Sequence, residues 1–278
     1  MLETREVRYI PQNVKASVNT DVGCVREVNE DSGRHLIPND LETQNKRGYL
    51  TVVADGMGGH ASGEVASQMA VDFISEYYYA DQSETVAEAL KNAIQFANEE
   101  IYETSLTDEK YFGMGTTVIS LVLLDKIGYA AHVGDSRLYR LRGENFEQMT
   151  MDHSQVMEMY KQGIISWEDT KNHEDKNVIL RAVGTQKNVE VEVSEPFEIE
   201  PNDEYLLCSD GLCDMLDDEE IRQIWLASKD IHSTTENLIQ RAKENGGHDN
   251  ITVAIVKAES ETMQFKEVRA TRETEVFQ

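Results

Sequence analysis

Seven short runs of β-branched and apolar residues, most bounded by glycine or an acid, constrain this chain more than any other feature. They are VKASVNTDVG (14–23), GYLTVVAD (48–55), GTTVISLVLL (115–124), IGYAAHVGD (127–135), NVEVEVSEPFEI (188–199), DEYLLCSD (203–210) and NITVAIVKA (250–258). The 188–199 run alternates apolar with polar residues, as a strand with one wet face does. Two long helical stretches follow the second run. The first covers about 63–79, with Val65, Met69, Phe73 and Tyr77 on one face. The second takes Ser83 as its N-cap and carries Val86, Leu90, Ala93, Ala97 and Ile101. A late helix begins near Asp217 with Glu220 three residues on, and another opens with STTE, a capping box at Ser233–Glu236, and stops at Gly246. Strands and helices do not alternate one for one, which argues against a doubly wound parallel sheet. The order predicts an α+β fold of antiparallel sheets covered by helices. Residues 142–187 are polar and interrupt the strand pattern, so they predict a helix and an excursion at the rim, a candidate flap.

The chain has 278 residues and four prolines, with no Gly/Ser linker to mark an internal boundary, and so predicts one large domain. Its formal charge of −26 argues against nucleic acid and against anionic membrane surfaces as partners. The longest apolar run, Val118–Leu124, is far too short to span a bilayer. Cys24, Cys208 and Cys213 form no CxxC pair, and the low, odd count argues against a disulfide scaffold. The amino terminus lacks the form of a signal peptide. A cytoplasmic location is expected.

Acids recur at the ends of the apolar runs. Asp55 follows YLTVVA, Asp135 follows AAHVG, Asp210 follows YLLCS, Asp249 precedes NITVAIV, and Glu30 and Asp31 lie between two early segments. One such acid is an ordinary turn residue. Several brought together repel one another and need raised pKa values or bound cations. The chain shows no His/Cys set at zinc spacing, so an all-oxygen site for Mg2+ or Mn2+ is the expected chemistry. Such ions attract phosphate and lower the pKa of a bound water from about 15.7 toward about 7.

In this order, Arg26 with NEDS (29–32), VADGMGGHASGE (53–64), GMGTT (113–117), HVGDSRLY (132–139), DHS (152–154), LRAVGT (180–185), LLCSDGL (206–212) and GGHDNITV (246–253) resemble the metal-dependent protein serine/threonine phosphatases of type 2C, in their bacterial form. The resemblance spans roughly 14–257. It implies a four-layer α-β-β-α sandwich, two antiparallel sheets flanked by helices, with a dinuclear Mn2+/Mg2+ centre. It implies that Asp55 bridges both ions, that the Gly56 carbonyl binds one, and that Asp210 and Asp249 hold the other. Glu30 and Asp31 act directly or through waters, Asp135 contributes to a third ion with Asn177 near it, and Arg26 holds the substrate phosphate. The glycines around Gly56 read as backbone freedom that lets its carbonyl reach a metal.

The implied activity is hydrolysis of phosphoserine and phosphothreonine on proteins by a metal-bridging water, opposing a serine/threonine kinase. Phosphorylated proteins and a cognate kinase are the expected partners, and a monomer is expected. Some relatives carry a histidine, a proposed general acid, where Met57 stands, and a thioether donates no proton. His60, His153 or a metal-bound water then remain as donors. Glu174 and Asp175 stand in the flap where bacterial relatives often have a proline motif. The expected organisation is an extension over 1–13, the phosphatase domain over 14–258 with a flap at about 154–180, and a polar tail over 259–278. A dinucleotide site at Gly56, Gly58 and Ala61 fails because Asp55 would face the pyrophosphate. No D-x-[DN]-x-[DN]-G calcium loop is present. A pseudo-phosphatase that binds phosphoprotein without turnover is the alternative.

Overall fold

The computed structural model describes residues 14–58, 62–171 and 173–259. The expected extension over 1–13, the tail beyond Glu259, and His60 lie outside them. The first part of the chain forms β1 (Val14–Asp21), β2 (Asp31–Leu36), α1 (Leu41–Arg47), β3 (Tyr49–Met57), α2 (Ser62–Ala80) and α3 (Val86–Ser105). Then come β4 (Gly115–Thr116), β5 (Val118–Leu124), β6 (Ile127–Val133), β7 (Arg137–Arg142), β8 (Asn145–Gln148), α4 (Gln155–Lys161) and α5 (Trp167–Thr170). The last part holds β9 (Glu192–Val193), β10 (Phe197–Glu198), β11 (Glu204–Cys208), α6 (Asp210–Cys213), α7 (Asp218–Ala227), α8 (Ile231–Glu244) and β12 (Ile251–Ala258).

Two antiparallel sheets result. One runs β1-β12-β11-β7-β8, the other β10-β6-β5-β3-β2, with β4 joined to β3 and β9 to β6. Period-two alternation sorts each strand's side chains into two layers. Val53 of β3, with Ile119 and Leu121 of β5, meets Leu207, Ala254 and Val256 of the facing sheet in the sandwich interior. Val52 and Ala54, on the opposite face of β3, pack beneath α2 and α3. Val253 and Ile255 of β12 pack beneath α7 and α8. These layers make the expected α-β-β-α sandwich, and each large apolar side chain buried in them contributes about 1.5–3 kcal/mol. Among the described residues no helix is long and apolar enough to cross a membrane.

Local expectations shift in several places. The deepest face of α2 is Ala66, Ala70, Ile74 and Tyr78, one position beyond the expected stripe, whose members Val65, Met69, Phe73 and Tyr77 are partly buried at its margin. In α3 the expected residues are all fully buried or nearly so. Its N-cap is Thr85, which accepts from Glu88 N–H, rather than Ser83. The Ser83 carbonyl instead accepts from Arg47 Nη2 at 2.9 Å, and its hydroxyl accepts from Asn92. Asp230 caps α8, with Ser233 at the third helical position closing the box, so the box lies three residues before the expected STTE. Asp217 caps α7 through Glu220 N–H, as expected. The 188–199 run yields only two-residue strands, β9 and β10, because it crosses the end of β6 in two short visits.

Candidate metal centre and active site

The pairing of β2 with β3 sets Asp31 directly opposite Asp55. The Asp55 main chain is held on its other side by the Gly115–Thr117 segment. Thr117 N–H and the Thr116 hydroxyl both donate to Asp55 O at 2.8 Å, and Asp55 N–H donates to Thr117 Oγ1 at 3.1 Å. Asp31 Oδ2 accepts from the Ser209 hydroxyl at 2.7 Å, while Ser209 Oγ accepts from Thr252 N–H at 2.9 Å. One serine therefore links β2, the start of α6 and β12, and Asp210 is the next residue. Asp249 sits just before β12, where Oδ1 accepts from Asn250 N–H and Oδ2 from Arg26 Nη2 at 2.7 Å. Asn250 pins the 22–30 loop, donating to Val22 O and Val28 O and accepting from Glu30 N–H. Asp135 follows β6 after Gly134, whose φ of 108° belongs to glycine.

Gly56 serves close approach rather than conformational freedom. A Cβ there would lie 2.1 Å from Gly63 O and 2.4 Å from Glu30 O. Its own N–H donates to Glu30 O at 3.1 Å. The expected reason for this glycine, an unusual backbone, is thus replaced by lack of room, which draws Glu30 and the start of α2 against the end of β3.

The acids expected to act together do converge. Burial raises Asp55 well above the carboxylate range, and the charges of Asp31, Asp210 and Asp135 add to the rise. Burial pushes Asp31 up to about 7 against the hydrogen bonds from Ser209 and Thr252, with Asp210 and Asp249 raising it further. Asp210 is pushed up to about 6 by burial, then by Asp214 and Asp249. Asp135 is raised by burial and then by Asp210. Glu30 is raised by burial, and Gly63 N–H and Arg26 oppose the rise. Oδ1 of Asp31, of Asp135 and of Asp210 are all buried with no hydrogen-bond partner among the described residues. Buried anionic oxygens left unpaired cost several kcal/mol each. Hard divalent cations satisfy such oxygens, and the donor set holds neither sulfur nor imidazole, so these residues fit Mn2+ or Mg2+.

Arg26 is exposed at the rim, beside Asp249. Met57 ends β3 opposite Gly115 and is half-buried. Asn177 is exposed on the flap. His153, one of the expected proton donors, has both ring nitrogens engaged. Gly134 N–H donates to Nδ1 at 3.1 Å, which puts the ring proton on Nε2, facing Glu192 Oε2 at 3.1 Å. Its ring stacks on His132 at 4.5 Å. His132, His153 and Glu192 lie close enough together for a metal ion, but a protonated Nε2 is no ligand, and the group instead braces Gly134 beside Asp135.

Protein-family comparison matches residues 28–254 to the Protein phosphatase 2C model. The chain belongs to the protein phosphatase 2C family. Among curated relatives of this phosphatase 2C chain, "Serine/threonine phosphatase stp" of Listeria innocua is 38% identical over 247 residues, covering 87% of this chain and 95% of that protein. "Protein phosphatase PhpP" of Streptococcus pneumoniae is 36% identical over 252 residues, covering 89% and 99%. The structure of Staphylococcus aureus Stp1 superposes with a TM-score of 0.80 at 32% identity, covering 94% of this chain and all of that one. A structure of PstP in complex with two manganese ions superposes at 0.74 with 30% identity, covering 89% and 99%.

Ser209, Asn250 and Thr117 organise this phosphatase 2C site, yet the sequence assigned them no role. Each stands beside a named acid or within a named motif. The only signal was a polar residue at the end of an apolar run, and the partners that give it meaning are remote in sequence.

Proposed function

We propose that the protein is a Mn2+- or Mg2+-dependent phosphatase acting on phosphoserine and phosphothreonine in proteins. The observation that carries this reading is the set of three buried, unpartnered carboxylate oxygens on Asp31, Asp135 and Asp210, gathered around Asp55. Asp55 and the Gly56 carbonyl would hold one ion. Asp55, Asp210 and Asp249 would hold a second, with Glu30 and Asp31 beside them, and Asp135 would serve a third. When bound, the cations offset the clustered negative charge, draw in the phosphate dianion and acidify water for attack on phosphorus.

The chain's own residues supply the rest. Arg26 spends one N–H on Asp249, and its remaining donors orient phosphate at the rim. Met57 has no proton to donate and His153 Nε2 faces Glu192, which leaves water and His60 as donors to the leaving serine oxygen. The functional unit is read as residues 14–258. Its flap at about 154–180 is tied down by Lys176 Nζ, 3.0 Å from Asp214 Oδ2 on the segment after Asp210. A cytoplasmic monomer that reverses a cognate kinase completes the reading.

The test is turnover of p-nitrophenyl phosphate and a phosphoserine peptide after chelation and Mn2+ titration, with wild type and Asp55→Asn. Mn2+-dependent turnover in wild type and background turnover with weakened Mn2+ binding in the variant are expected. A folded wild type that binds phosphopeptide without hydrolysing it would establish the pseudo-phosphatase instead.

A further inference from the structure

Cys208 and Cys213 flank Asp210 and are not used by the proposed chemistry. Cys208 ends β11 and is fully buried; Cys213 ends the single turn of α6 and is half-buried. Their sulfurs lie 3.4 Å apart, so the two side chains point at each other. Cys213 also lines a cavity of about 350 Å³ with Arg137, Asp152, Trp167, Asp214 and Asp218, which gives a small oxidant a route to its sulfur. Cys208 and Tyr139 hydrogen-bond to Cys213 Sγ, and with the Arg137 charge they favour its thiolate.

We propose that Cys208 and Cys213 form a reversible disulfide under hydrogen peroxide, and that its closure pulls Asp210 out of register with Asp31 and Asp55. The Cys213 thiolate attacks one peroxide oxygen, the O–O bond breaks, and hydroxide leaves, giving a sulfenic acid. The Cys208 sulfur then attacks the Cys213 sulfur, the S–O bond breaks, and the departing hydroxide takes the Cys208 proton as water. Two thiols are oxidised by two electrons and one peroxide is reduced.

The effect on Asp210 follows from distance. A disulfide needs sulfurs about 2.05 Å apart, so the two sulfurs must close by about 1.4 Å, shared between side-chain rotation and movement of the 208–213 backbone. The intervening chain has little slack. Ser209 is bonded to Asp31 and Thr252, and a Cβ on Gly211 would lie 2.0 Å from Asn250 O. Metal ligands tolerate displacements of about 0.2 Å. Closure therefore reaches Asp210, and a loss of about tenfold or more in Mn2+ affinity is expected. This inference goes beyond the phosphatase reading, because bond formation and ion binding are measured without turnover.

Full-length protein is treated with hydrogen peroxide and compared with the same sample after dithiothreitol. Peptide mapping by mass spectrometry and calorimetric Mn2+ titration are the readouts. The expected result is a Cys208–Cys213 cross-linked peptide lacking two hydrogens, with weakened Mn2+ binding that dithiothreitol restores. Cys24→Ser behaves as wild type, and Cys213→Ser keeps its Mn2+ affinity in peroxide. Oxidation of Cys213 to sulfinic acid without the cross-link overturns the proposal, as does a cross-link that leaves Mn2+ affinity unchanged. Neither result depends on a variant folding.

Discussion

Asp31→Asn is expected to stabilise the cation-free protein while weakening its hold on Mn2+. A carboxyl that titrates near 3.8 in the unfolded chain and at about 7 in the fold costs about 4 kcal/mol to ionise in place. Its charge is coupled to those of Asp210 and Asp249, so only about half of that, ~2 kcal/mol, is assigned to the substitution. Because the native state raises this pKa, the cost is absent below about pH 4, where the group is protonated folded and unfolded. It grows as pH rises and is complete above about pH 7. Cation-free wild type therefore loses stability from pH 4 to 8, and the variant loses less. The assay is thermal unfolding in EDTA at several pH values, repeated with saturating Mn2+. At pH 8 without cation the variant should melt about 4–8 °C higher than wild type, with no difference at pH 4. With Mn2+ the order reverses, because wild type gains more from binding. A variant no more stable than wild type at pH 8, or one equally stabilised at both pH values, would refute the assignment of strain to this carboxylate.

Arg26→Lys keeps the charge but loses the planar fork; KM for a phosphopeptide should rise about tenfold or more with kcat less affected, in steady-state kinetics. Met57→His introduces a proton donor beside the cluster and should alter the acidic limb of the pH–rate profile; an unchanged limb would keep the leaving-group proton with water or His60. Arg47 is fully buried and donates to Asp81 O and Ser83 O at 2.6 and 2.9 Å. Arg47→Met strands those carbonyls and should cost about 3 kcal/mol or more in denaturant unfolding, with Mn2+ affinity of the folded protein unchanged.

The sequence revealed strands where both faces, or one whole face, are apolar. It did not reveal β7, whose sequence RLYRLR reads as a basic loop. The fold makes it a central strand by pairing Arg137 with Asp152, Arg140 with Glu147, and Arg142 with Asp203 and Glu200. Those acids come from other elements, so the compensation is invisible locally. β2, DSGRHL, is a half-wet edge strand, and polar edges resemble loops in any single sequence. The acids of the site were legible because Asp55, Asp135 and Asp210 end apolar runs and Asp249 begins one, with Glu30 and Asp31 between two early segments. Their supports were not: Ser209 lies 178 residues from the Asp31 it binds, and Asn250 lies 222 from Val28. The N-cap of α3 moved for a similar reason, since buried Arg47 claims the carbonyl of Ser83.

The carboxylates are drawn from both halves of the sandwich. Asp31 and Asp55 belong to the sheet that carries α2 and α3, whereas Asp210 and Asp249 adjoin β11 and β12 of the other. The two sheets share no strand pairing. Elsewhere they adhere through apolar contact, which resists sliding weakly and in no fixed direction. At this rim the Ser209–Asp31 and Asn250–Glu30 hydrogen bonds tie them against the repulsion of the clustered acids, which a bound divalent ion would offset. If the proposed ions bind there, ion concentration would set how often the sandwich opens at one end, and amide exchange along β2 and at the start of β12 is where that opening would be recorded.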